Sequence, residues 1–205
     1  MPANVVILDY GSGNLRSAER AVARTGVDVT VTSDLRQAAD ADGLVVPGVG
    51  AYAACMAGIN ELDAGPVIAE RVAAGRPVLG ICVGMQIMFE SGVEHGVETK
   101  GLGLLPGSVT RLHARRIPHM GWNTVEVPAG SKLLAGAGPG TRFYFVHSYA
   151  ARDLDLLLDA AVTTAAHDEP FAAVVERGAL STAQFHPEKS ADAGFKLLTN
   201  WVATL

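Results

Sequence analysis

The first half of the chain alternates short apolar runs with segments of helical periodicity. The apolar runs predict four strands, NVVILDY, VDVTVT, GLVVPG and RPVLGIC. Helices are predicted over 14–25 and 65–74, where apolar residues recur at helical spacing. Strands that are apolar throughout and separated by helices are typical of a parallel sheet covered on both faces. This half therefore predicts a doubly wound, flavodoxin-like α/β fold, with functional loops at the carboxyl ends of the strands.

The second half is richer in turns, and its apolar runs lie closer together. The runs that predict strands here are SVTRLH, NTVEVP, TRFYFVHSY and FAAVVERGALSTAQF. Their spacing is typical of antiparallel pairing. A closing helix is predicted over 189–203, with Phe195, Leu198 and Val202 on one face. No repeat or linker interrupts the pattern, so we predict one domain over 1–205.

Composition and charge exclude several classes of function. The chain has 205 residues, of which 49% are hydrophobic, and a net charge of −5. Its one basic cluster, 111–116, is too short to predict nucleic-acid binding. The longest apolar stretch, 78–89, is too short to span a membrane, and the N-terminus lacks the features of a secretory signal. Two cysteines do not form a disulfide framework, so we expect a cytoplasmic protein with reduced thiols.

One of the two cysteines lies in a setting that indicates chemistry. Cys82 is the centre of the sequence GICVG, which follows a predicted strand and precedes a predicted helix. This G-x-C-x-G pattern is the cysteine counterpart of the nucleophile elbow, in which small residues permit a strained turn. The following helix would direct its N-terminus at the sulfur and favour the thiolate. On this pattern alone, a buried structural cysteine is an equally valid interpretation.

Two further segments supply what a cysteine nucleophile needs. His186 and Glu188 stand in the sequence HPE, where the imidazole can accept the thiol proton and the carboxylate can orient it. An exposed loop histidine is the alternative. The loop PGVG, 47–50, follows the third predicted strand and should lie at the same sheet edge as Cys82. Its N–H groups, with that of Val83, can stabilise an oxyanion, although a plain turn also fits. Together these segments favour acyl transfer through a thioester.

The motifs GICVGMQ, PGVG and HPE resemble those of the class-I, triad-type glutamine amidotransferases. The resemblance implies that Cys82 attacks the side-chain amide of glutamine, that His186 is the general acid and base, and that Glu188 orients the imidazole. The remaining site residues that follow from the motifs and the resemblance are Val49, Gly50 and Val83 for the oxyanion hole and Gly50 and Gln86 for the glutamine pocket. No metal-ligand spacing and no phosphate-binding glycine motif is present, so we expect no metal and no cofactor.

Four motifs narrow the resemblance further. DYGSGNLRS, IPHMGWN, YFVHSY and HPEKS are similar to segments of the glutamine amidotransferase subunits of imidazole glycerol phosphate synthase, which serve histidine biosynthesis. The resemblance implies that ammonia passes to a separate cyclase subunit, a (β/α)8 barrel, within a heterodimer. The residues that it assigns are Asn14, Met120, Trp122 and Tyr144 for the face toward the cyclase, and His147, Ser148 and Tyr149 for the glutamine pocket, largely through backbone.

Other interpretations remain open from the sequence. The same half-reaction can serve another synthase, of the anthranilate or aminodeoxychorismate type, which the triad does not distinguish; IPHMGWN and HSY favour the histidine pathway. A free-standing cysteine hydrolase and a catalytically silent binding module on the same fold are further alternatives. Cys55 is expected to pack in a helix, and His119 and His167 are assigned no role.

Overall fold

The structure is a computed structural model that describes residues 2–205. The strands are β1 (Asn4–Leu8), β2 (Asp28–Thr32), β3 (Gly43–Gly48), β4 (Val78–Cys82), β5 (Phe89–Glu94), β6 (Val97–Lys100), β7 (Leu105–Arg111), β8 (His119–Thr124), β9 (Arg142–His147), β10 (Tyr149–Ala151), β11 (Ala161–His167), β12 (Glu169–Arg177) and β13 (Leu180–Ala183). The α-helices are α1 (Leu15–Ala23), α2 (Leu35–Asp40), α3 (Tyr52–Glu61), α4 (Ala64–Ala73), α5 (Val83–Gln86) and α6 (Ala191–Val202). Short 3-10 turns lie at Leu154–Leu156 and Pro187–Lys189.

The central sheet has the strand order β11-β12-β13-β4-β3-β1-β2. The five strands from β13 to β2 are parallel, and β12 and β11 extend the sheet in antiparallel fashion. All residues of β3 and β4 are buried, as expected for strands covered on both faces. The predicted α/β fold with a mainly parallel sheet is confirmed, and β1 to β4 are the four apolar runs of the first half. The register places Gly48 beside Cys82 at the carboxyl edge.

The second half adds two smaller sheets, β10-β7-β5-β6 and the hairpin-like pair β8-β9. Antiparallel pairing is found for β8 with β9 and for β11 with β12, but β13 pairs parallel with β4, and β5 parallel with β7. The strand predicted over 123–128 is displaced toward the N-terminus. Thr124 lies opposite Arg142, where β9 begins, so β8 has no partner in β9 beyond that residue. Glu126 retains a single bridge to Thr164.

The closing helix α6 buries a different face from the predicted one. Its buried residues are Gly194, Leu197, Leu198 and Trp201. Phe195 and Val202 are partly exposed. The reason is the close approach of Gly194 to the HPE turn, because a Cβ there would lie 1.9 Å from the carbonyl oxygen of Pro187. The face that carries Gly194 is therefore turned inward, and the buried residues lie on it three, four and seven positions later, with the Trp201 ring packed against Gly43.

Two helices between the predicted ones were not evident in the hydrophobic pattern. Helix α2 has six residues, and α3 is built largely from small residues, with Cys55 buried in it as expected. The C-terminal end of α2 receives the buried side chain of Arg71, which is 2% exposed. Its guanidinium donates to the carbonyl oxygens of Ala38, Ala39, Ala41, Asp42 and Pro77. Burial lowers the pKa of Arg71 to about 10, and the carbonyl oxygens replace the water that the cation loses.

Candidate active site

Cys82 is the last residue of β4 and has φ 56° and ψ −112°. This is a rare backbone conformation for a residue with a side chain, and it is the strained turn of a nucleophile elbow. The flanking glycines make the turn possible. A Cβ on Gly84 would lie 1.9 Å from the carbonyl oxygen of Val46, and a Cβ on Gly80 would lie 2.7 Å from that of Gly84. Neighbouring backbones therefore touch on both sides of the cysteine.

The helix after the cysteine is shorter than the sequence suggested. Helix α5 has four residues, Val83–Gln86, and is a single turn. A helix dipole grows from aligned peptides over several turns, so its contribution at the sulfur is small. The N–H of Val83 opens this turn and has no acceptor within the helix, as at any helix N-terminus.

His186 and Glu188 form a buried pair beside the cysteine. The imidazole Nδ1 and the carboxylate Oε1 are 2.7 Å apart, and the two side chains are 3% and 4% exposed. Burial by itself lowers the pKa of His186, but hydrogen bonding and charge from Cys82 and Glu188 outweigh it and raise the pKa to about 9. The imidazole is therefore positively charged at neutral pH, between a carboxylate on one side and the cysteine on the other.

The turn that carries His186 is fixed to the neighbouring strand β9. The N–H of His186 donates to the carbonyl oxygen of Tyr144 at 3.0 Å. The hydroxyl of Ser190 donates to the carbonyl oxygen of His186 at 2.7 Å and accepts from the N–H of Tyr144 at 2.9 Å. These three bonds hold the backbone of the imidazole-bearing residue in one place.

The PGVG loop lies next to the triad, but one of its expected donors is occupied. The N–H of Val49 donates to the hydroxyl oxygen of Ser12 at 3.2 Å, and that hydroxyl lies 2.9 Å from the carbonyl oxygen of Val49. Cys55 lies 3.2 Å from the same hydroxyl. Gly50 has φ +90°, a conformation that glycine adopts without strain. In this conformation the Val49 N–H is therefore engaged by Ser12.

Two buried glutamines complete the environment of the sulfur. Gln86, expected in the substrate pocket, donates from Nε2 to the carbonyl oxygen of Tyr149 at 2.9 Å and to Oε1 of Gln184 at 3.0 Å. Nε2 of Gln184 lies 3.9 Å from Sγ of Cys82. Sequence reasoning missed Gln184. The available signal was a glutamine in the buried run STAQF, two residues before the histidine.

A comparison with known proteins places this chain in a family. The family model described as glutamine amidotransferase class-I matches residues 6–204. A relative from Thermobifida fusca is 60% identical over the whole of both chains, and one from Mycobacterium tuberculosis strain H37Rv is 61% identical over 97% of each. Both are named imidazole glycerol phosphate synthase subunit HisH. The chain belongs to this HisH family of class-I glutamine amidotransferases. The resemblance predicted from the motifs is thereby confirmed.

The fold agrees with that of a solved glutamine amidotransferase of much lower sequence identity. A crystal structure of a glutamine amidotransferase matches with a TM-score of 0.72 at 22% identity, covering 95% of this chain and 98% of that chain. At that identity the likeness shows the fold alone.

Three histidines of this HisH-family chain lie side by side, one each on β8, β9 and β11. Nδ1 of His147 lies 2.9 Å from the carbonyl oxygen of Tyr149, and Nε2 of His147 lies 2.9 Å from Nδ1 of His119. Because a carbonyl only accepts, His147 must carry its proton on Nδ1, and His119 donates to it. Burial lowers the pKa of His147 to about 3 and that of His119 to about 4. His167 stacks on His119 with ring centroids 4.4 Å apart.

These contacts change what is expected of the HSY segment. Both ring nitrogens of His147 are engaged within the protein, so its side chain has no ring nitrogen left to offer a ligand. Ser148 lies between β9 and β10, and its carbonyl oxygen accepts from the N–H of Leu112. Tyr149 provides the carbonyl oxygen that both His147 and Gln86 approach.

Of the residues expected to face a cyclase, Tyr144 and Asn14 lie at the turn that carries His186 and Glu188. Met120 and Trp122 are on the outward side of β8 and are 66% and 49% exposed. Tyr144 lies opposite Trp122, with ring centroids 6.1 Å apart, and is partly buried. Asn14 is exposed and caps α1 through its side chain, which accepts from the N–H of Ser17 at 3.4 Å. A small cavity beside Glu188 is lined by Asn14 and Val49 as well.

Residues 2–205 show neither a metal-binding cluster nor a membrane-spanning helix. Within that range, no three His, Cys, Asp or Glu side chains are grouped in a way that would hold a metal ion. None of the helices described there combines the length and apolar character needed to cross a membrane.

Proposed function

We propose that this chain is the glutamine amidotransferase subunit of an imidazole glycerol phosphate synthase, and that residues 1–205 act as one domain. It hydrolyses the side-chain amide of glutamine and delivers the ammonia to a cyclase subunit. The observation that carries the proposal is the cysteine elbow at Cys82, placed beside the buried pair of His186 and Glu188.

In the first half-reaction Cys82 attacks as the thiolate, with His186 protonated beside it. Sγ adds to the amide carbon of glutamine, and the carbonyl oxygen becomes an oxyanion. The C–N bond then breaks as the imidazolium gives its proton to the departing nitrogen. Ammonia leaves and a glutamyl thioester remains on the sulfur. Glu188 stabilises the imidazolium and keeps Nδ1 protonated.

In the second half-reaction His186 is neutral and acts as a base. It takes a proton from water, and the hydroxide adds to the thioester carbon. The C–S bond breaks, the thiolate returns, and glutamate leaves. The balance of the two steps is glutamine and water to glutamate and ammonia.

The oxyanion of both steps needs N–H donors, and three candidates lie near the elbow. The N–H of Val83 is unpaired within its helix, and those of Val49 and Gly50 lie on the adjacent loop. Because Ser12 occupies the Val49 N–H in this conformation, that peptide must turn before it can take part. The flexible Gly50 next to it permits such a turn.

Substrate glutamine would be held beside α5. Both Nε2 protons of Gln86 are used within the protein, so its Oε1 is the atom that can accept from the substrate. The backbone of Ser148 and Tyr149, with His147 fixed behind it, would line the other side of the pocket.

The partner is proposed to be a cyclase of (β/α)8 fold that forms a heterodimer with this chain. The HisH relatives are named as subunits of imidazole glycerol phosphate synthase, so each belongs to a larger enzyme. Met120 and Trp122 supply exposed apolar side chains on β8, as an interface requires. A closed interface would deliver ammonia before water protonates it. The relatives also favour this enzyme over a synthase of the anthranilate or aminodeoxychorismate type.

The test is glutamate release from glutamine by the full chain alone, and then with a cyclase subunit and its ribotide ligand. We expect the rate to rise with the cyclase and to vanish in Cys82→Ala. A glutamine-analogue electrophile should label Cys82 and not Cys55, as read by peptide mass spectrometry. Turnover that persists in Cys82→Ala contradicts the mechanism. Labelling of Cys82 without stimulation by the cyclase contradicts the partner.

A further inference from the structure

Gln184 is fully buried beside Cys82, and the mechanism above gives it no role. Its exposed fraction is 0%, and its backbone N–H donates to the carbonyl oxygen of Ala173 at 2.8 Å within the central sheet. A primary amide without contact to water must find its hydrogen-bond partners inside the protein. Those partners determine which way the amide faces.

The orientation of the two glutamine side chains follows from one carbonyl group. The oxygen of Tyr149 accepts and cannot donate, so Gln86 must direct its NH2 group there, at 2.9 Å. The second proton of the same nitrogen points to Gln184 at 3.0 Å, so Gln184 must present Oε1 to it. Nδ1 of His147 donates to the same Tyr149 oxygen and holds it from the other side.

With Oε1 of Gln184 engaged by Gln86, its NH2 group faces the sulfur of Cys82, at an N–S distance of 3.9 Å. A hydrogen bond of this kind is long in a protein without substrate and shortens when the charged form of the acceptor is present. The amide does not titrate, so it donates at every pH and at every step of the reaction.

We propose that Gln184 is a catalytic hydrogen-bond donor to Sγ of Cys82, and that Gln86 holds its amide in the donating orientation. The inference rests on the proposed function and deepens it. His186 is charged when Cys82 attacks and again when the thioester breaks, but its proton leaves and returns in between, whereas the amide of Gln184 keeps its protons throughout. The amide therefore stabilises the thiolate both before attack and when the thioester breaks.

The direction of the effect depends on how a thiol responds to stabilisation of its anion. A better stabilised thiolate is more abundant at a given pH but somewhat less nucleophilic. The loss of nucleophilicity offsets less than half of the gain, because the Brønsted coefficient is about 0.4–0.5. Removal of the donor should therefore slow reaction of Cys82 below the pH at which its thiolate is fully formed.

The experiment uses the full chain and two substitutions of similar shape, Gln184→Met and Gln184→Glu. The methionine side chain cannot donate to the sulfur at any pH, and the glutamate side chain, once ionised, cannot donate and adds a negative charge. The readout is the rate of alkylation of Cys82 by iodoacetamide between pH 5 and 10, with the labelled peptide identified by mass spectrometry. We expect the pH midpoint of alkylation to rise by about one unit in the methionine variant, which is the size of one charge-assisted hydrogen bond, and further in the glutamate variant.

The matched controls are the same two substitutions at Gln37, which is exposed on α2. They should leave the midpoint where it is in the unaltered chain. The inference is overturned if both Gln184 variants have the same alkylation midpoint as the unaltered chain. If Cys82 of the unaltered chain is not alkylated at all, that result contradicts the proposed function instead.

A second measurement uses the unaltered Gln184, so it does not require any Gln184 variant to fold. In the 15N-labelled chain, the side-chain NH2 signals of Gln184 should shift with the same midpoint as alkylation of Cys82. That shift should be absent in Cys82→Ala. Signals that do not move while Cys82 titrates overturn the inference.

Discussion

The N–H of His186 donates to the carbonyl oxygen of Tyr144 at 3.0 Å. Tyr144 in turn lies opposite Trp122 across the β8-β9 pair. A single residue, Tyr144, thus links the backbone of His186 to the exposed side chain of Trp122. A partner that packs on Trp122 would contact the strand pair to which the catalytic turn is bonded.

The first prediction concerns that exposed tryptophan. Trp122→Ala should raise the Kd for the cyclase subunit by about thirtyfold or more, since tryptophans buried in an interface contribute about 2 kcal/mol or more each. The thermal unfolding temperature should change little, because half of the side chain already faces solvent. Isothermal titration calorimetry measures the Kd. Leu158→Ala is the control, since Leu158 is 90% exposed and lies outside β8 and β9; an equal loss of affinity there, or none at Trp122, argues against the proposed interface.

The second prediction concerns pH. Because His186 must be protonated to release ammonia and its pKa is raised to about 9, kcat/KM should fall as the pH rises through about 9. The folded protein holds this proton above the ordinary histidine pKa of about 6.5. The stability it contributes is therefore complete below about pH 6.5 and is lost as the pH rises through about 9.

Glu188→Gln tests the second of the two contacts, after Cys82, that raise the pKa of His186. Loss of the carboxylate should lower the pKa of His186 and move the alkaline limb of the pH profile downward, which NMR titration of the imidazole measures directly. Glu98→Gln, an exposed change on β6, should leave the titration unaltered. An imidazole that titrates at the same pH with and without the Glu188 carboxylate would disprove the assigned role.

The third prediction concerns the hydroxyl that holds the oxyanion loop. Ser12→Ala removes the acceptor of the Val49 N–H and so lowers the cost of turning that peptide toward the sulfur. Glutamate release by the chain without a partner should rise by up to about tenfold, the equivalent of one hydrogen bond of about 1.4 kcal/mol. Ser33→Ala, at an exposed serine, is the control. A basal rate that stays the same in Ser12→Ala shows that this hydroxyl does not restrain the loop.

The fourth prediction concerns stability at the end of α2. Arg71→Met should lower the free energy of unfolding by roughly 3 kcal/mol, since it leaves several buried carbonyl oxygens without a donor. Urea denaturation measures the change. Arg36→Met, at an exposed position of the same helix, should lie within about 0.5 kcal/mol of the unaltered chain. Equal stabilities of the two variants would mean that water satisfies those carbonyl oxygens.

The sequence predicted the elements whose signal is local. The strands β1, β3 and β4 are continuous apolar runs because helices cover both faces of the sheet, and the elbow at Cys82 is visible because its glycines are adjacent to it. Strand β6 is polar and partly exposed, and the small residues of α3 give little periodicity. Such elements are stabilised by their neighbours in space, so their own residues carry a weak signal.

The same distinction applies within the site. His186 and Glu188 were found because they are two residues apart in one turn. The orientation of Gln184 depends on Gln86, 98 residues away in the chain, and the role of His119 depends on His147 in the paired strand. Likewise, the occupation of the Val49 N–H by Ser12 is a contact between distant loops. Pairings of this kind become visible only with the three-dimensional structure.

The close approach around Gly84 restricts how this chain can change over generations. A side chain there would meet the carbonyl oxygen of Val46, a main-chain atom that every replacement of Val46 would still possess. No second substitution at Val46 can make room for that side chain. The damage done by replacing Gly84 is therefore repaired most directly by restoring the glycine. Gly84 therefore cannot be substituted stepwise without disturbing the turn at Cys82. New specificity in such a protein has to arise from substitutions farther from the cysteine.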